Sequence, residues 1–305
     1  MQKKKMTGNG FLLLITIALF AVMYIAGMII FADKGFAKPQ MFLNLFVSNA
    51  GLLVIACGLT IVMITGGIDI SVGSVTALVC MVLADLMENK GVNTYVAVLV
   101  ALLIGVAFGV VQGFLVAYLD IQPFIVTLAG MFFGRGMTAI ISTDMISIKN
   151  KTFLAWANYK IYLPIGSYSR RGKFIPAYIY PTVIIAILIF IVVLDGLLAG
   201  CGGFLFCLNS CSGFVEQAKG LEMDAISASV IGVTLLSGGV GTPFGTVFGV
   251  LIKGTISSLI TTQGTLSSWW VRIALSALLC FFIVLRALSC MTSVTCRCLF
   301  VFFLK

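Results

Sequence analysis

Long apolar runs, separated by short polar segments, make up most of this chain. Residues 11–32, 95–119 and 225–252 contain no charged side chain. Each run approaches or exceeds the ~20 apolar residues that an α-helix needs to cross the hydrocarbon core of a bilayer. One such run could be a buried helix of a soluble protein, but several in one chain favour membrane-spanning helices.

The pattern predicts an all-α, polytopic transmembrane bundle that forms one domain over residues 1–305. Two pseudo-repeated halves, about residues 11–141 and 175–288, flank an extramembrane loop at 142–173, and an atypical tail follows at 289–305. Glycine interruptions are expected to break some of the helices. The predicted helices cover about residues 11–31, 42–64, 72–86, 95–119, 124–141, 175–194, 196–208, 225–236, 245–260 and 269–285.

Composition agrees with a membrane location. The chain is 61% hydrophobic and 10% charged, whereas a soluble domain has about a quarter of its residues charged. The net charge of +9 lies mainly in short loops and at helix ends, which is how membrane proteins set their topology, so nucleic-acid binding is not expected. No histidine occurs, which removes His-ligated metal sites and His general bases, and we expect neither a metal site nor an enzyme.

The N-terminus predicts a first transmembrane helix that is retained. Lys3, Lys4 and Lys5 precede an apolar run of about 22 residues, which is longer than the apolar region of a typical signal peptide. No clear small-residue cleavage site follows before Asp33. By the positive-inside rule, the lysines place the N-terminus in the cytoplasm.

Sliding the chain by 172 positions uncovers an internal similarity. Residues 65–68 (TGGI) fall on residues 237–240 (SGGV), and residues 73–75 (GSV) fall on residues 245–247 (GTV). Each half therefore has an apolar run, a Gly-Gly break and a resumed helix. Chance similarity between Gly-rich segments is the alternative, but the shared spacing favours a repeat, and transporters often carry such broken helices near the substrate route.

Three ordered blocks resemble permease subunits of ribose-type ABC sugar importers, in the branched-chain amino acid/ribose permease superfamily. Residues 65–74 (TGGIDISVGS) resemble the signature of these subunits, and residues 122–131 (QPFIVTLAGM) resemble the start of their central helix. Residues 220–226 (GLEMDAI) and 236–242 (LSGGVGT) resemble their second-half signature. Residues 264–270 (GTLSSWW) point more narrowly to galactofuranose-type permeases.

The resemblance implies a subunit that forms the translocation pathway for a ribose- or galactofuranose-like monosaccharide in the inner (plasma) membrane. A partner ABC ATPase subunit would hydrolyse ATP, so no cofactor is expected in this chain. The other implied partners are a second permease subunit, an extracytoplasmic sugar-binding protein and the lipid bilayer.

The two breaks are the predicted pathway. A neutral sugar needs polar backbone and small hydroxyl groups along its path, and irregular backbone persists at membrane depth only where it lines a cavity or is buried in protein. The predicted pathway residues are Gly66, Gly67, Asp69, Ser71, Gly73, Ser74, Ser237, Gly238, Gly239, Thr242, Gly245 and Thr246.

Asp69 and Asp224 require an explanation, because ionisable groups inside a membrane are costly and usually functional. An aspartate beside a helix start can also cap the exposed N–H groups there. We favour capping ahead of sugar contact for Asp69, and we predict a structural, capping role for Asp224. Arg135 is predicted to snorkel to the membrane interface, and Gln112 to serve in helix packing.

The chain departs from the family pattern between its halves. Permeases of this family are expected to carry a cytoplasmic loop there that docks on the ATPase, but here apolar sequence continues on both sides of Asp195 and Gly196. Either these two residues form a tight hairpin, or one long helix over 182–208 shifts the topology downstream. Without the loop, the conformational change that accompanies ATP hydrolysis is not transmitted to the membrane helices. A deletion, frameshift or gene-model error would explain the missing loop and the unusual tail, and it predicts an impaired permease.

Two other classes compete with this interpretation. An ion-coupled secondary transporter is the alternative, with Asp69 and Asp224 serving the ion, and ion-driven uptake that persists without an ATPase would favour it. A membrane enzyme would need a convergent set of bases or metal ligands, which the sparse acids argue against. ATPase activity in this chain is not expected, because the sequence has no G-x-x-x-x-G-K-[ST] phosphate loop.

Overall fold

The structure is a computed structural model that describes residues 8–168, 174–183, 186, 195–264, 267 and 269–291. In this part of the chain it contains a helical bundle with two small two-stranded sheets. The helices are α1 Gly8–Ile30, α2 Pro39–Ile64, α3 Val72–Glu88, α4 Thr94–Ala117, α5 Pro123–Ile141, α6 Lys151–Asn158, α7 Asp195–Ser210, α8 Leu221–Ile231, α9 Pro243–Gln263 and α10 Trp269–Met291. The strands are β1 Ile146–Ser147, β2 Ile161–Tyr168, β3 Phe174–Ile179 and β4 Ser212–Gly213.

Local signals in the sequence set the helix boundaries. Pro39, Pro123 and Pro243 each occupy a first helical position, where the missing N–H would have had no partner in the helix. Asn93 caps α4 by accepting a hydrogen bond from a backbone N–H, and α9 ends at Gly264 in a left-handed conformation. The five helices predicted before residue 142 are confirmed to within three residues at each end.

Helix α2 lies at the centre of the bundle. Among the described residues, five helices are long and apolar enough to cross a membrane, namely α1, α2, α4, α5 and α9. The buried share is 72% for α2 but 17% for α1 and 22% for α4 and α5. Helix α2 contacts α7, α8 and α9, while α3 contacts α4, α5 and α7. The predicted all-α polytopic architecture is therefore confirmed, with the apolar outer faces of α1, α4 and α5 suited to lipid.

Glycines fix helix α7 against the first half of the chain. A Cβ atom on Gly200 would stand 3.3 Å from the Cα of Gly105 in α4, and one on Gly51 in α2 would stand 3.0 Å from the carbonyl oxygen of Gly202. Small residues allow membrane helices to approach this closely. The start of the second half is thus held between α2 and α4 by backbone contacts.

The extramembrane segment predicted as a loop contains regular structure. Helix α6 and strand β2 lie within residues 142–173, and β2 pairs with β3 in an antiparallel hairpin. Gln40, at the start of α2, holds this hairpin: its Nε2 donates to the carbonyl oxygen of Tyr178 (3.1 Å), and its Oε1 accepts from the N–H of Tyr178 (2.8 Å). Strand β2 lies wholly within the predicted loop, whereas β3 continues into the range predicted as the next helix.

Several predictions for the second half are corrected. The helix expected at 175–194 is wrong in its first part, because strand β3 extends through Ile179. Asp195 and Gly196 are the first two residues of α7. Residues 184, 185 and 187–194 lie outside the described residues, and so does the junction that distinguishes a hairpin at Asp195-Gly196 from a continuous helix over 182–208. Helix α8 covers Leu221–Ile231 instead of 225–236. Helix α10 extends to Met291, and the rest of the 289–305 tail lies outside the described residues.

Candidate functional site

The two Gly-Gly breaks contact each other through their backbones. Gly66 follows α2 with φ +86°, and Gly238 precedes α9 with φ +82°. A Cβ atom on Gly238 would stand 2.7 Å from the Cα of Gly66 and 2.8 Å from its nitrogen, so the backbones are in van der Waals contact. The N–H of Gly239 donates a hydrogen bond to the carbonyl oxygen of Ile64 (2.8 Å).

Gly66 and Gly238 are equivalent under the 172-residue shift. Both have left-handed backbones that glycine adopts without steric cost. The helices after the breaks begin at Val72 and Pro243, nearly the same distance apart in sequence, but α2 ends at Ile64 while α8 stops at Ile231. The second break is therefore longer than the first, and its extra residues include Val233 at φ +75°.

The other predicted pathway residues fall into two groups. Around the contact, Gly66, Ser237, Gly239 and Thr242 are exposed, and Asp69 and Gly238 are partly exposed. The remaining members of the predicted set are buried and lie against protein, and they are Gly67, Ser71, Gly73, Ser74, Gly245 and Thr246. The structure thus brings the two breaks together but places half of the predicted residues within helix contacts.

Asp69 organises the restart of the chain into α3. Its Oδ1 accepts hydrogen bonds from the backbone N–H of Ser71 (2.7 Å) and from the Ser71 hydroxyl (2.6 Å). Ser71 is the N-cap residue of α3. The bonds from Ser71 use only one oxygen of the Asp69 carboxylate.

Gln112 of α4 joins this cluster. Its Nε2 donates to Ser71 Oγ (3.0 Å), and a Cβ atom on Gly130 of α5 would collide with the same amide nitrogen. The amide fills a notch over α5, as its predicted packing role requires, and it also extends the polar cluster that contains Asp69.

A second polar cluster links the halves through three hydroxyl groups. Thr60 of α2 donates to Ser229 Oγ of α8 (3.0 Å), and its Oγ1 lies 2.6 Å from Thr246 Oγ1 of α9. All three side chains have 0% exposure. Thr246 is therefore bound to protein, while Thr242 caps α9 by accepting from the N–H of Gly245 (3.2 Å).

The role predicted for Asp224 is corrected. Helix α8 begins at Leu221 with Gly220 as its N-cap residue, so Asp224 lies too far into the helix to cap it. Its Oδ2 pairs with Lys253 Nζ of α9 at 3.1 Å. Its position in the first turn still favours the positive end of the helix dipole.

Glu222, two residues earlier, reaches the first half of the chain. Its carboxylate lies against Gly73 in the first turn of α3, where Ser71 supplies no side-chain cap. A negative group at this end of α3 is favoured by the helix dipole. Its Oε2 is buried without a hydrogen-bond partner among the described residues.

Arg135 also differs from its prediction. Its Nη1 donates to the carbonyl oxygens of Val215 and Gln217, both at 2.8 Å. The side chain therefore ties α5 to the segment before α8 instead of snorkelling to the interface.

Sequence reasoning missed Lys253, Glu222 and Thr60, and it understated Gln112. A signal existed for Lys253, because it is the only charged residue between Asp224 and Arg272. A lone base in one apolar helix is expected to pair with an acid in a neighbouring helix. No comparable signal identifies Thr60, because a threonine in a helix usually bonds its own backbone.

Comparison with known proteins identifies the family. Residues 41–192 match the family described as branched-chain amino acid transport system / permease component. The chain is 36% identical to the inner membrane ABC transporter permease protein YjfF of Escherichia coli, over 90% of this chain and 91% of the relative. It is 27% identical to the fructose import permease protein FruG of Bifidobacterium longum, over 90% and 89%, and 32% identical to the ribose import permease protein RbsC of Bacillus subtilis, over 77% and 81%. No solved structure matches the chain.

The lengths of the alignments bear on the loop that was expected between the halves. The match to YjfF extends over 303 positions, yet 90% of the 305 residues here is about 275, so about 28 positions of the relative have no counterpart. The same arithmetic for FruG, with 308 positions, gives about 33. The family match ends at residue 192, three residues before Asp195. On this similarity, the chain belongs to the family of membrane-spanning permease subunits of ABC importers.

Proposed function

We propose that this chain forms the translocation pathway for a ribose- or galactofuranose-like monosaccharide in an ABC importer. The contact between Gly66 and Gly238 carries the proposal. It joins the breaks of two membrane helices at one point, where a Cβ atom on Gly238 would keep the backbones apart. The route is closed where Gly66 contacts Gly238. Separation of the two breaks would open a route lined by backbone groups.

The chemistry around the contact suits an uncharged, hydroxyl-rich cargo. Ser237 and Thr242 present hydroxyls on the exposed side of the second break, and Asp69 offers an acceptor beside the first. Backbone N–H and C=O groups at the breaks can exchange hydrogen bonds with a sugar in both directions. The similarity to FruG, a fructose import permease protein, and to RbsC, a ribose import permease protein, supports a sugar as the cargo.

We place the N-terminus in the cytoplasm, following Lys3–Lys5. Helix α2 then runs inward, so that Gly66 and the shortened segment before Asp195 lie toward the cytoplasm. The segment at 142–173 then lies outside, although it carries six basic residues against Asp144, a distribution that the positive-inside rule disfavours. A fluorescent protein that matures only in the cytoplasm, fused to Met1, tests this placement: fluorescence is expected, and its absence would reverse the topology.

We propose three protein partners: an ABC ATPase subunit, a second permease subunit and an extracytoplasmic sugar-binding protein. The shortened segment before Asp195 affects only the first of them. In the absence of the docking loop, we expect weak co-purification with the ATPase and little coupled transport, while the pathway itself remains built.

The decisive experiment restores the loop. The segment of YjfF that has no counterpart here is inserted before Asp195, and uptake of labelled ribose is measured in cells that also express the ATPase and the binding protein. The chain as it stands serves as the matched control. We expect ATP-dependent uptake with the insertion and little or none without it.

Other outcomes would change the proposal. Stoichiometric ATPase binding by the unmodified chain would show that the loop is dispensable. Uptake driven by a proton or sodium gradient without any ATPase would replace the proposal with an ion-coupled transporter.

A further inference from the structure

Gln112 is unusual among the residues of helix α4. Between Thr94 and Ala117, it is the only residue with an amide or charged side chain. An amide side chain in a membrane-spanning helix is energetically costly unless it is hydrogen-bonded. It lies near the end of α4 that faces the first break, and it is partly exposed.

The hydrogen bonds of this cluster leave capacity unused. The Ser71 hydroxyl has one hydrogen, and the shorter contact takes it to Asp69 Oδ1 (2.6 Å) in preference to Gln112 Oε1 (3.3 Å). Ser71 in turn accepts from Gln112 Nε2 (3.0 Å). The carbonyl oxygen of Gln112, the second hydrogen on its nitrogen and Oδ2 of Asp69 are not used by these three residues.

Ser71, which links Asp69 to Gln112, is more deeply buried than either of them. Ser71 has 1% exposure, whereas Asp69 and Gln112 are partly exposed. Ser71 therefore fixes the spacing of the two ends, and the notch over Gly130 fixes the rotamer of Gln112. A fixed carboxylate and a fixed amide beside the first break form a preorganised pair of polar groups.

We propose that Gln112 acts with Asp69 to recognise two neighbouring hydroxyls of the cargo. One cargo hydroxyl donates to Asp69 Oδ2, while its neighbour exchanges hydrogen bonds with the Gln112 amide, which can both donate and accept. This inference rests on the proposed function. The same pair would discriminate against anionic cargo. The Asp69 carboxylate repels a negatively charged group, such as the carboxylate of an amino acid.

The test measures sugar binding by the full chain in nanodiscs, with labelled ribose and no partner subunits. Gln112→Leu should weaken binding about three- to tenfold, the range expected for one lost hydrogen bond, and Gln112→Glu should change the preference among sugars. Gln40→Leu is the control, because Gln40 bonds to the hairpin and lies far from the break in sequence. Thermal unfolding of each variant separates lost binding from lost folding.

Two results would overturn the inference. One is unchanged ribose affinity and sugar preference in folded Gln112→Leu, and the other is an unmodified chain that binds no ribose. Neither result decides the proposed function, which the loop-restored uptake measurement tests separately.

Discussion

Gly66 and Gly238 stand 172 positions apart in the chain and touch through their backbones. A shift of the same length superimposes their sequence motifs, so the contact joins equivalent points of two similar segments. The contact therefore marks a place where the two segments meet as counterparts.

The first prediction ranks glycine substitutions at the breaks. Gly238→Ala should be the most damaging, because its Cβ would overlap Gly66 and its φ of +82° costs a further ~1–2 kcal/mol for an L-residue. Gly239→Ala should pay only the conformational cost, since nothing lies within 4 Å of its Cβ. Thermal unfolding in nanodiscs and ribose uptake of the loop-restored chain measure the two effects.

Gly113→Ala is the control for this series. It lies in α4 with open space around the added Cβ, and alanine in a helix is favoured over glycine by up to about 1 kcal/mol. Equal damage from Gly238→Ala and Gly239→Ala would contradict the backbone contact.

The second prediction concerns the buried hydroxyl cluster. Thr60→Val should lower the free energy of unfolding by about 1–3 kcal/mol, because it removes a partner of Ser229 and Thr246, whose side chains are fully buried. Thr255→Val serves as a matched change, since the buried Thr255 hydroxyl bonds Leu251 in its own helix. A smaller loss in Thr60→Val than in Thr255→Val would show that the link between helices contributes little.

The third prediction is that a Thr→Val substitution at another buried position, Thr234, stabilises the protein. Thr234 has 1% exposure, and its Oγ1 has no hydrogen-bond partner among the described residues. Thr234→Val keeps the shape and removes an unsatisfied polar group, so the free energy of unfolding should rise by about 1 kcal/mol. Chemical denaturation in detergent measures the change, and a destabilised Thr234→Val would reveal a partner at this hydroxyl.

The fourth prediction concerns the ion pair between Asp224 and Lys253. Their side chains are 31% and 18% exposed, so Lys253→Met should destabilise by about 1–3 kcal/mol, less than for a fully buried pair. Adding Asp224→Asn should recover most of the loss, because no unpaired charge then remains.

Lys219→Met provides the contrast for this ion pair. Lys219 pairs with Glu216 where both side chains are well exposed, and such pairs contribute little to stability. A Lys253→Met variant as stable as Lys219→Met would mean that water reaches the Asp224 carboxylate.

The sequence predicts the membrane helices well, because run length and the Pro and Gly signals are local. The sequence does not indicate which of those helices lies at the centre of the bundle and which lies at its outside. Helix α1 is more hydropathic than α2, yet α2 is the buried centre and α1 lies at the outside. This difference arises from contacts between distant residues, which the apolar pattern of one helix does not encode.

The candidate site shows the same limit. The motifs identified Gly66 and Gly238 without predicting that they touch, and they grouped Thr246 with the pathway although it bonds Thr60 within the core. The error for Asp224 came from placing the start of α8 one turn too late. Hydroxyl and carboxylate roles depend on which helix lies opposite, and only the tertiary structure provides that.

The close glycine contacts of α7 have a consequence for the length of the segment before Asp195. Because Gly200 and Gly202 dock α7 directly on α4 and α2, the position of this helix does not depend on the length of the segment before it. We expect a chain with a shorter or a longer segment there to keep the packing of α7, and with it the fold of the bundle.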